Sequence, residues 1–314
     1  MSFFGFGGGV SFNASKDIPS LAGKVILVTG GTNGLGRESV KEFARHEPER
    51  IYLAARSLER AQTTIEEIRK EVPNAPPIEP IELDLASLAS VKAAAAAFAS
   101  KSQRLDILML NAGIMMVPHG VTKDGYELQF GTNHVGHAAL AKLLLPTLLR
   151  TAERPGADVR VVVLTSAGLG MAPRVGVDFD ALKTPSTDTR SFTLYGQSKL
   201  ANALYAQELA RKYPQLRVSS IHPGGVSTNL AQPLANSNIF LKALLSLAPY
   251  VLTSVQSGAR NQLWASVSKD VVNGEYYTPV GKVGTGMGVD LVKDTELAGR
   301  LWDWTEKELK EHGI

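Results

Sequence analysis

Three side chains in this chain have the types and spacing to move a proton: Ser166, Tyr195 and Lys199. Tyr195 and Lys199 stand four apart in YGQSKLAN, which puts both on one face of a helix. A phenol has a pKa near ~10 and handles protons poorly at neutral pH. A neighbouring ammonium favours the phenolate and brings the group towards general acid–base work. Ser166 ends the apolar run DVRVVVLT, where its hydroxyl can hold a carbonyl or alcohol oxygen. No G-x-S-x-G surrounds it, so a protease-type nucleophile is not indicated. A Tyr-x-x-x-Lys pair alone usually marks a helix surface, so the surrounding elements decide its meaning.

Those elements start at KVILVTGGTNGLGR, Lys24 to Arg37. Val25 to Val28 read as a strand buried on both faces. Gly30, Gly31, Gly34 and Gly36 follow, and a helical pattern (RESVKEFARH) comes next. A strand turning on glycines into a helix aims backbone N–H groups at one spot, at the positive helix end, and that spot suits a phosphate. A Cβ there would hold a pyrophosphate away and resist positive φ. Arg50 to Ala54 read as a second strand, with Ala55 and Arg56 where dinucleotide folds read the adenosine ribose. A guanidinium in place of an acidic residue favours a 2′-phosphate, and so NADP(H) over NAD(H). The competing reading is that Arg56 caps a solvated helix.

A helix over SLERAQTTIEEIRKEV and a proline-rich loop lead to a third strand ending at Leu83-Asp84-Leu85. Asp84 suits either a helix cap or an adenine contact. The alanine-rich helix SLASVKAAAAAFASKS, the strand Leu105 to Leu110 and Asn111-Ala112-Gly113 follow. From Tyr126 one long helix is expected, with Asn133 in mid-course and His134 and His137 three apart. No HExxH or carboxylate cluster accompanies these histidines, so packing is expected and no metal. A Gly/Pro/Asp-rich loop fills 167–193, and Tyr195 heads the next helix. RVSSIH, Pro223-Gly224-Gly225-Val226-Ser227-Thr228, a last strand GEYYTP and a short amphipathic helix close the chain. Residues 229–257 include IFLKALLSLAPYVL, broken by Lys242 and Pro249 and shorter than the ~20 residues of a bilayer span. They read as a lid over an apolar pocket, with peripheral membrane contact as the lesser reading.

This alternation implies an α/β fold, a doubly wound parallel sheet of about seven strands in one domain over 18–314. Residues 1–17 read as a flexible Gly/Phe arm, with Phe3, Phe4 and Phe6 available to lie on the surface. That start has no arginine and no basic n-region before an apolar core, so a cytoplasmic protein is expected. A net charge of +3 without a long basic run argues against nucleic acid, and the lack of cysteine excludes disulfides and thiol chemistry. The helices at 126–150 and 195–212 offer a homodimer contact, which the lid and the last helix can block.

The motifs together resemble the short-chain dehydrogenase/reductase family. TGGTNGLG (Thr29 to Gly36, with Thr32, Asn33 and Leu35 between the glycines) is similar to its TGxxxGxG cofactor motif, and Asn111-Ala112-Gly113 to its NAG motif. The resemblance places Asn133, Ser166, Tyr195 and Lys199 at the positions of a catalytic Asn-Ser-Tyr-Lys set. It places Pro223, Gly224, Val226 and Thr228 in the segment that closes over nicotinamide. FGTNHVGHAAL, the DFDAL run at Asp178 to Leu182 and YGQSKLAN are most like the retinol-dehydrogenase and WW-domain oxidoreductase branch, without a WW domain. LTS at 164–166 replaces the commoner serine pair, leaving Ser166 ahead of Thr165. The resemblance implies reduction of a carbonyl on an apolar small molecule, or the reverse. Lys199 would bind the nicotinamide ribose and lower the Tyr195 pKa, and Asn133 would hold a water linking Lys199 to solvent. An epimerase or dehydratase using the same pair, and an NADPH-sensing scaffold, are the alternatives.

Overall fold

A computed structural model describes residues 9–226 and 253–314. Among the described residues eight strands form one sheet: β1 (Val25–Thr29), β2 (Arg50–Ala55), β3 (Ile78–Glu82), β4 (Ile107–Leu110), β5 (Arg160–Leu164), β6 (Arg217–Ile221), β7 (Tyr276–Thr278) and β8 (Lys282–Val283). Their spatial order is 3-2-1-4-5-6-7-8. The first seven run parallel, and only β8 is antiparallel, paired with β7 at the edge. β1 and β5 are buried throughout, as strands covered by helices on both faces must be. The order reverses between β1 and β4, so the crevice at their carboxyl ends is the expected ligand site. The two-residue β8 carries too little pattern to be read from sequence.

The helices are α1 (Ala14–Asp17), α2 (Gly34–Ala44), α3 (Leu58–Glu71), α4 (Leu88–Lys101), α5 (Leu128–Phe130), α6 (Gly136–Ala152), α7 (Ser191–Lys212), α8 (Val255–Val267), α9 (Val289–Val292) and α10 (Thr295–Glu311). Two apolar cores, one on each face of the sheet, hold them. Ser57 caps α3 and Ser87 caps α4, each accepting from a backbone N–H three residues on. Neither Arg56 nor Asp84 therefore caps a helix. The long helix expected from Tyr126 starts at Leu128 and is interrupted by a π turn over Gly131–Val135, where the Gly136 N–H bonds the Gly131 carbonyl.

Residues 9–17, expected as the end of a free arm, are docked. Val10 N–H donates to the Val280 carbonyl at 2.8 Å and Phe12 is buried. The last helix forms over the stretch expected of it, TELAGRLWDWTEKELK, with Glu311 added, and lies along α7, with Trp302 stacked on Tyr205 at 5.3 Å between ring centres. It covers part of the face that α7 offered to a second subunit. Phe3, Phe4, Phe6, Thr228 and lid positions 229–252 lie outside the described residues. The end of the expected lid is the Ser254 cap and first turn of α8.

Candidate active site

The glycine turn between β1 and α2 is built for close approach. Gly30 has φ of +68°, and a Cβ there would meet the Ala112 Cα at 3.0 Å. A Cβ on Gly36 would lie 2.3 Å from the Gly30 carbonyl oxygen and 2.5 Å from the Asn111 amide nitrogen. Glycine at 36 is thus required by packing within the protein as well as by room for a ligand. α2 begins three residues earlier than its sequence pattern, so Gly34, Leu35 and Gly36 form its first turn, with Asn33 as cap. Thr32 and Asn33 lead into that positive end, where N–H groups without intrahelical partners suit an anion.

Asn111 and Asp84 are both engaged within the protein. The Asn111 amide donates to the Thr29 carbonyl at 2.8 Å, and its oxygen accepts from Gln262 at 3.3 Å, so Asn111 braces the turn. Asp84 accepts from the Ala86 N–H and pairs with Lys123 at 3.2 Å, leaving its carboxylate engaged. Leu85 is buried, with its carbonyl against Gly136. Arg56, exposed directly after β2, makes no ion pair among the described residues. A Cβ on Gly258 would meet both Val226 (2.4 Å) and Leu35 (3.0 Å), so the 222–226 loop lies beside the glycine turn. Pro223 and Gly224 lead into it, Gly224 at φ +90°.

Ser166, Tyr195 and Lys199 come together at the carboxyl end of β5. Ser166 caps a 3₁₀ turn over Ala167–Met171, accepting from the Gly168 N–H at 3.0 Å. Tyr195 lies in the second turn of α7, and its ring and the Ser166 hydroxyl both border Gly168, where a Cβ would stand 3.0 Å from the ring and 3.3 Å from the hydroxyl oxygen. The Thr165 hydroxyl donates to the Lys199 carbonyl at 2.5 Å, which leaves Ser166 as the free hydroxyl of the pair. Lys199 Nζ is buried, donates to the Leu164 carbonyl at 3.2 Å and sits 5.8 Å from the Tyr195 ring centre.

The electrostatics differ from expectation in one respect. Burial pushes the Lys199 ammonium down to about 8. Burial also pushes the Tyr195 phenol up, and the neighbouring Ser166 hydroxyl only partly opposes this. The expected lowering of Tyr195 by Lys199 does not prevail, because desolvation penalises both charged forms.

Asn133 lies against Lys199: a Cβ on Gly113 would be 3.2 Å from both Asn133 Oδ1 and Lys199 Nζ. The Asn133 side chain accepts from the Ile114 N–H (2.8 Å) and donates to the Ile114 carbonyl and the Ser198 hydroxyl (2.9 Å each). Both of its N–H groups are used, so it joins the β4 loop to α7. His134 and His137 are buried, with ring nitrogens bonded to Thr305 and to Thr29 and the Asn133 carbonyl respectively, and no metal-ligating cluster occurs among the described residues. Sequence reasoning missed Gln262, which bonds Ser39 at 2.6 Å, and Gln129, which accepts from the Met116 N–H at 2.8 Å. Such long-range braces leave no local signal. Gly196 left one: a small residue inside YGQSK, needed because a Cβ would lie 2.7 Å from the Gly168 carbonyl.

A doubly wound sheet with a glycine turn at its switch point and a Ser/Tyr/Lys cluster beside it defines a dinucleotide-dependent class of protein. Residues 24–177 match the family model described as short chain dehydrogenase. The chain is 39% identical over 312 residues to the short-chain dehydrogenase/reductase drtF of Aspergillus calidoustus, covering 95% of this chain and 97% of that protein. It is 41% identical to the uncharacterized oxidoreductase C736.13 of Schizosaccharomyces pombe, over 93% of this chain and 86% of the other. A crystal structure of an uncharacterized protein from Mycobacterium paratuberculosis superposes with a TM-score of 0.73 at 30% identity, covering 96% and 98% of the two chains. The chain belongs to the short-chain dehydrogenase/reductase family. No described helix is long and apolar enough to cross a membrane.

Proposed function

We propose that this chain is an NADP(H)-dependent reductase that converts a ketone or aldehyde of an apolar small molecule to an alcohol, or runs the reverse. The observation that carries the reading is that the Tyr195 ring and the Ser166 hydroxyl meet at Gly168 beside a buried Lys199, at the sheet edge that also holds the glycine turn. The residues fit a dinucleotide. Gly30, Gly34 and Gly36 keep the turn free of Cβ atoms at three positions, and Arg56 offers a guanidinium with no ion pair among the described residues for a 2′-phosphate. Pro223, Gly224 and Val226, with Thr228, would flank the nicotinamide.

NADP(H) supplies, when bound, the hydride that the protein lacks. Ser166 holds the substrate oxygen, and Tyr195 donates the proton to that oxygen as charge develops on it. Lys199, charged below about pH 8, would hold the nicotinamide ribose and would offset the developing phenolate charge. Asn133 fixes the distance between the β4 loop and α7 through Ile114 and Ser198. The 3₁₀ turn after Ser166 is flanked by Met171 and Met287, 44% and 70% exposed, and Met287 packs on Gly170. This apolar rim, the run IFLKALLSLAPYVL and the likeness to the retinol-dehydrogenase branch support an apolar substrate.

The test is an NADPH-consumption screen over ketones, aldehydes and quinones, with Tyr195→Phe as the blank. Turnover of a bulky apolar carbonyl by the wild type alone is expected. Rates equal to the blank across all three classes would overturn the reading.

A further inference from the structure

A buried imidazole that the mechanism does not use stands between the two halves of the site. His137, 2% exposed, is in the first turn of α6, directly after the π turn. Its Nδ1 lies 2.9 Å from the Asn133 carbonyl oxygen, and its Nε2 lies 2.9 Å from the Thr29 hydroxyl at the end of β1. The partners settle the protons. A carbonyl only accepts, so Nδ1 carries the hydrogen. Burial holds the ring neutral, with its pKa pushed down to about 4, so Nε2 carries none and accepts from the hydroxyl. The Thr29 oxygen keeps two lone pairs, which accept from the Asn111 and Ala112 N–H groups at 2.9 and 3.0 Å. The Met109 carbonyl also stands near, 3.4 Å from the Thr29 hydroxyl and 3.1 Å from the Asn111 nitrogen, but the imidazole nitrogen at 2.9 Å is the nearer acceptor for the hydroxyl proton.

The consequence is mechanical. Thr29 begins the glycine turn, and its hydroxyl holds the backbone of Asn111-Ala112. Asn133 holds Ile114, and through Ser198 it reaches the Tyr195 carbonyl, because the Ser198 hydroxyl donates to that carbonyl at 2.7 Å. One ring therefore links the turn that would seat the cofactor to the helix that carries Tyr195 and Lys199. A π turn is wider and looser than the α-helix around it, and such turns recur at functional sites. Here the loosened carbonyl is pinned from the side by a group that also grips β1. A phenylalanine, a slightly larger ring, would fill the site without either bond, so packing alone does not require histidine.

We propose that His137 is a positioning residue, whose imidazole bridges the Thr29 hydroxyl to the Asn133 carbonyl and so sets the cofactor turn in register with the Tyr195–Lys199 helix. The proposal rests on the reductase reading only for its kinetic effect; the bridge itself is tested without turnover. His137→Phe keeps the ring and removes both bonds. His137→Asn retains an amide near the Nδ1 position, and His137→Gln retains one near the Nε2 position, so each keeps half of the bridge. Displacing reacting groups by about an ångström costs up to about 100-fold in rate. With a carbonyl that the wild type reduces, kcat is expected to fall about 10- to 100-fold in all three variants, while NADPH affinity by fluorescence titration changes less than about threefold.

A packing role predicts otherwise: kcat would follow the folded fraction measured by thermal melting, and His137→Phe would be the best variant. That result, or a kcat within about twofold of wild type in folded His137→Phe, overturns the proposal. The wild-type protein gives an independent check that needs neither turnover nor a folded variant. In a long-range proton–nitrogen correlation spectrum of the ¹⁵N-histidine-labelled chain, one ring must appear as the neutral Nδ1–H tautomer with slow exchange. A spectrum in which every buried histidine carries its proton on Nε2 rejects the bridge whatever the kinetics show. If the spectrum agrees but no carbonyl is reduced, the reductase reading fails and the bridge stands.

Discussion

The glycine turn and the Ser166–Tyr195 cluster share one sheet edge, yet they are built in opposite ways. The turn is local: Thr29 to Gly36 sit within one βα unit, and its glycines are dictated by contacts with Gly30, Ala112 and Asn111. The cluster is assembled from afar. Ser166 comes from β5, Tyr195 and Lys199 from α7, and Asn133 from the π turn, joined through Ile114 and Ser198. A local element tolerates change elsewhere, whereas an assembled one depends on each brace. Binding and turnover are thus expected to separate under mutation.

The largest effect on one side alone is expected from Tyr195→Phe. Removing a general acid costs about 10²- to 10⁴-fold in kcat, with NADPH affinity near wild type by titration. Loss of both together would show that the two regions are not separable. Next is Gly36→Ala, whose Cβ would press on the Gly30 carbonyl. It is expected to destabilise by about 1–3 kcal/mol and to weaken NADPH at least tenfold, read by thermal melting and titration. Arg56→Ala sharpens the cofactor side further. Losing a charge-assisted contact worth about 1.5–3 kcal/mol weakens NADPH about 10- to 100-fold and leaves NADH almost unchanged. Equal losses for both cofactors would remove Arg56 from the 2′-phosphate.

Two smaller effects follow from burial. Lys199 is held at about 8, so kcat/KM for reduction is expected to fall as pH rises through that value and the ammonium is lost. A flat profile from pH 7 to about 9 would argue against a charged Lys199 in the working enzyme. His134, His137 and His222 are pushed down from 6.5 to about 3, 4 and 4 by burial. The unfolded chain takes up those protons first as pH falls. Their contribution to stability is therefore complete above about pH 6.5 and is lost progressively towards pH 4, which denaturant midpoints along a pH series would show.

The contrast between local and assembled also explains what the sequence made legible. Val25 to Val28 and Val161 to Leu164 announce buried strands because each residue meets a helix on either face. Gly30 and Gly36 announce the turn because no other residue fits. Tyr195 and Lys199 could be paired from spacing, and the helix holds them so. The π turn at Asn133 was not legible: no residue type marks a bond shifted from the fourth to the fifth neighbour. Gln129, Ser198 and Gln262 read as ordinary helix residues until folding brings Ser191, Asn133 and Ser39 to them. The direction of the Tyr195 shift was missed for a related reason. Charge proximity can be inferred from spacing, but the burial that outweighs it depends on the whole fold.

The central claim is that the glycine turn and the Tyr195 phenol open into one cleft where a carbonyl is reduced. Its most direct measurement is label transfer: NADPH deuterated at the nicotinamide C4 is supplied with a carbonyl from the screen, and the alcohol is analysed by mass and NMR. Deuterium on the carbinol carbon with the wild type, and none formed by Tyr195→Phe over the same time, is the predicted result. Labelled alcohol made equally fast by both proteins, or none by either across ketones, aldehydes and quinones, would contradict the account.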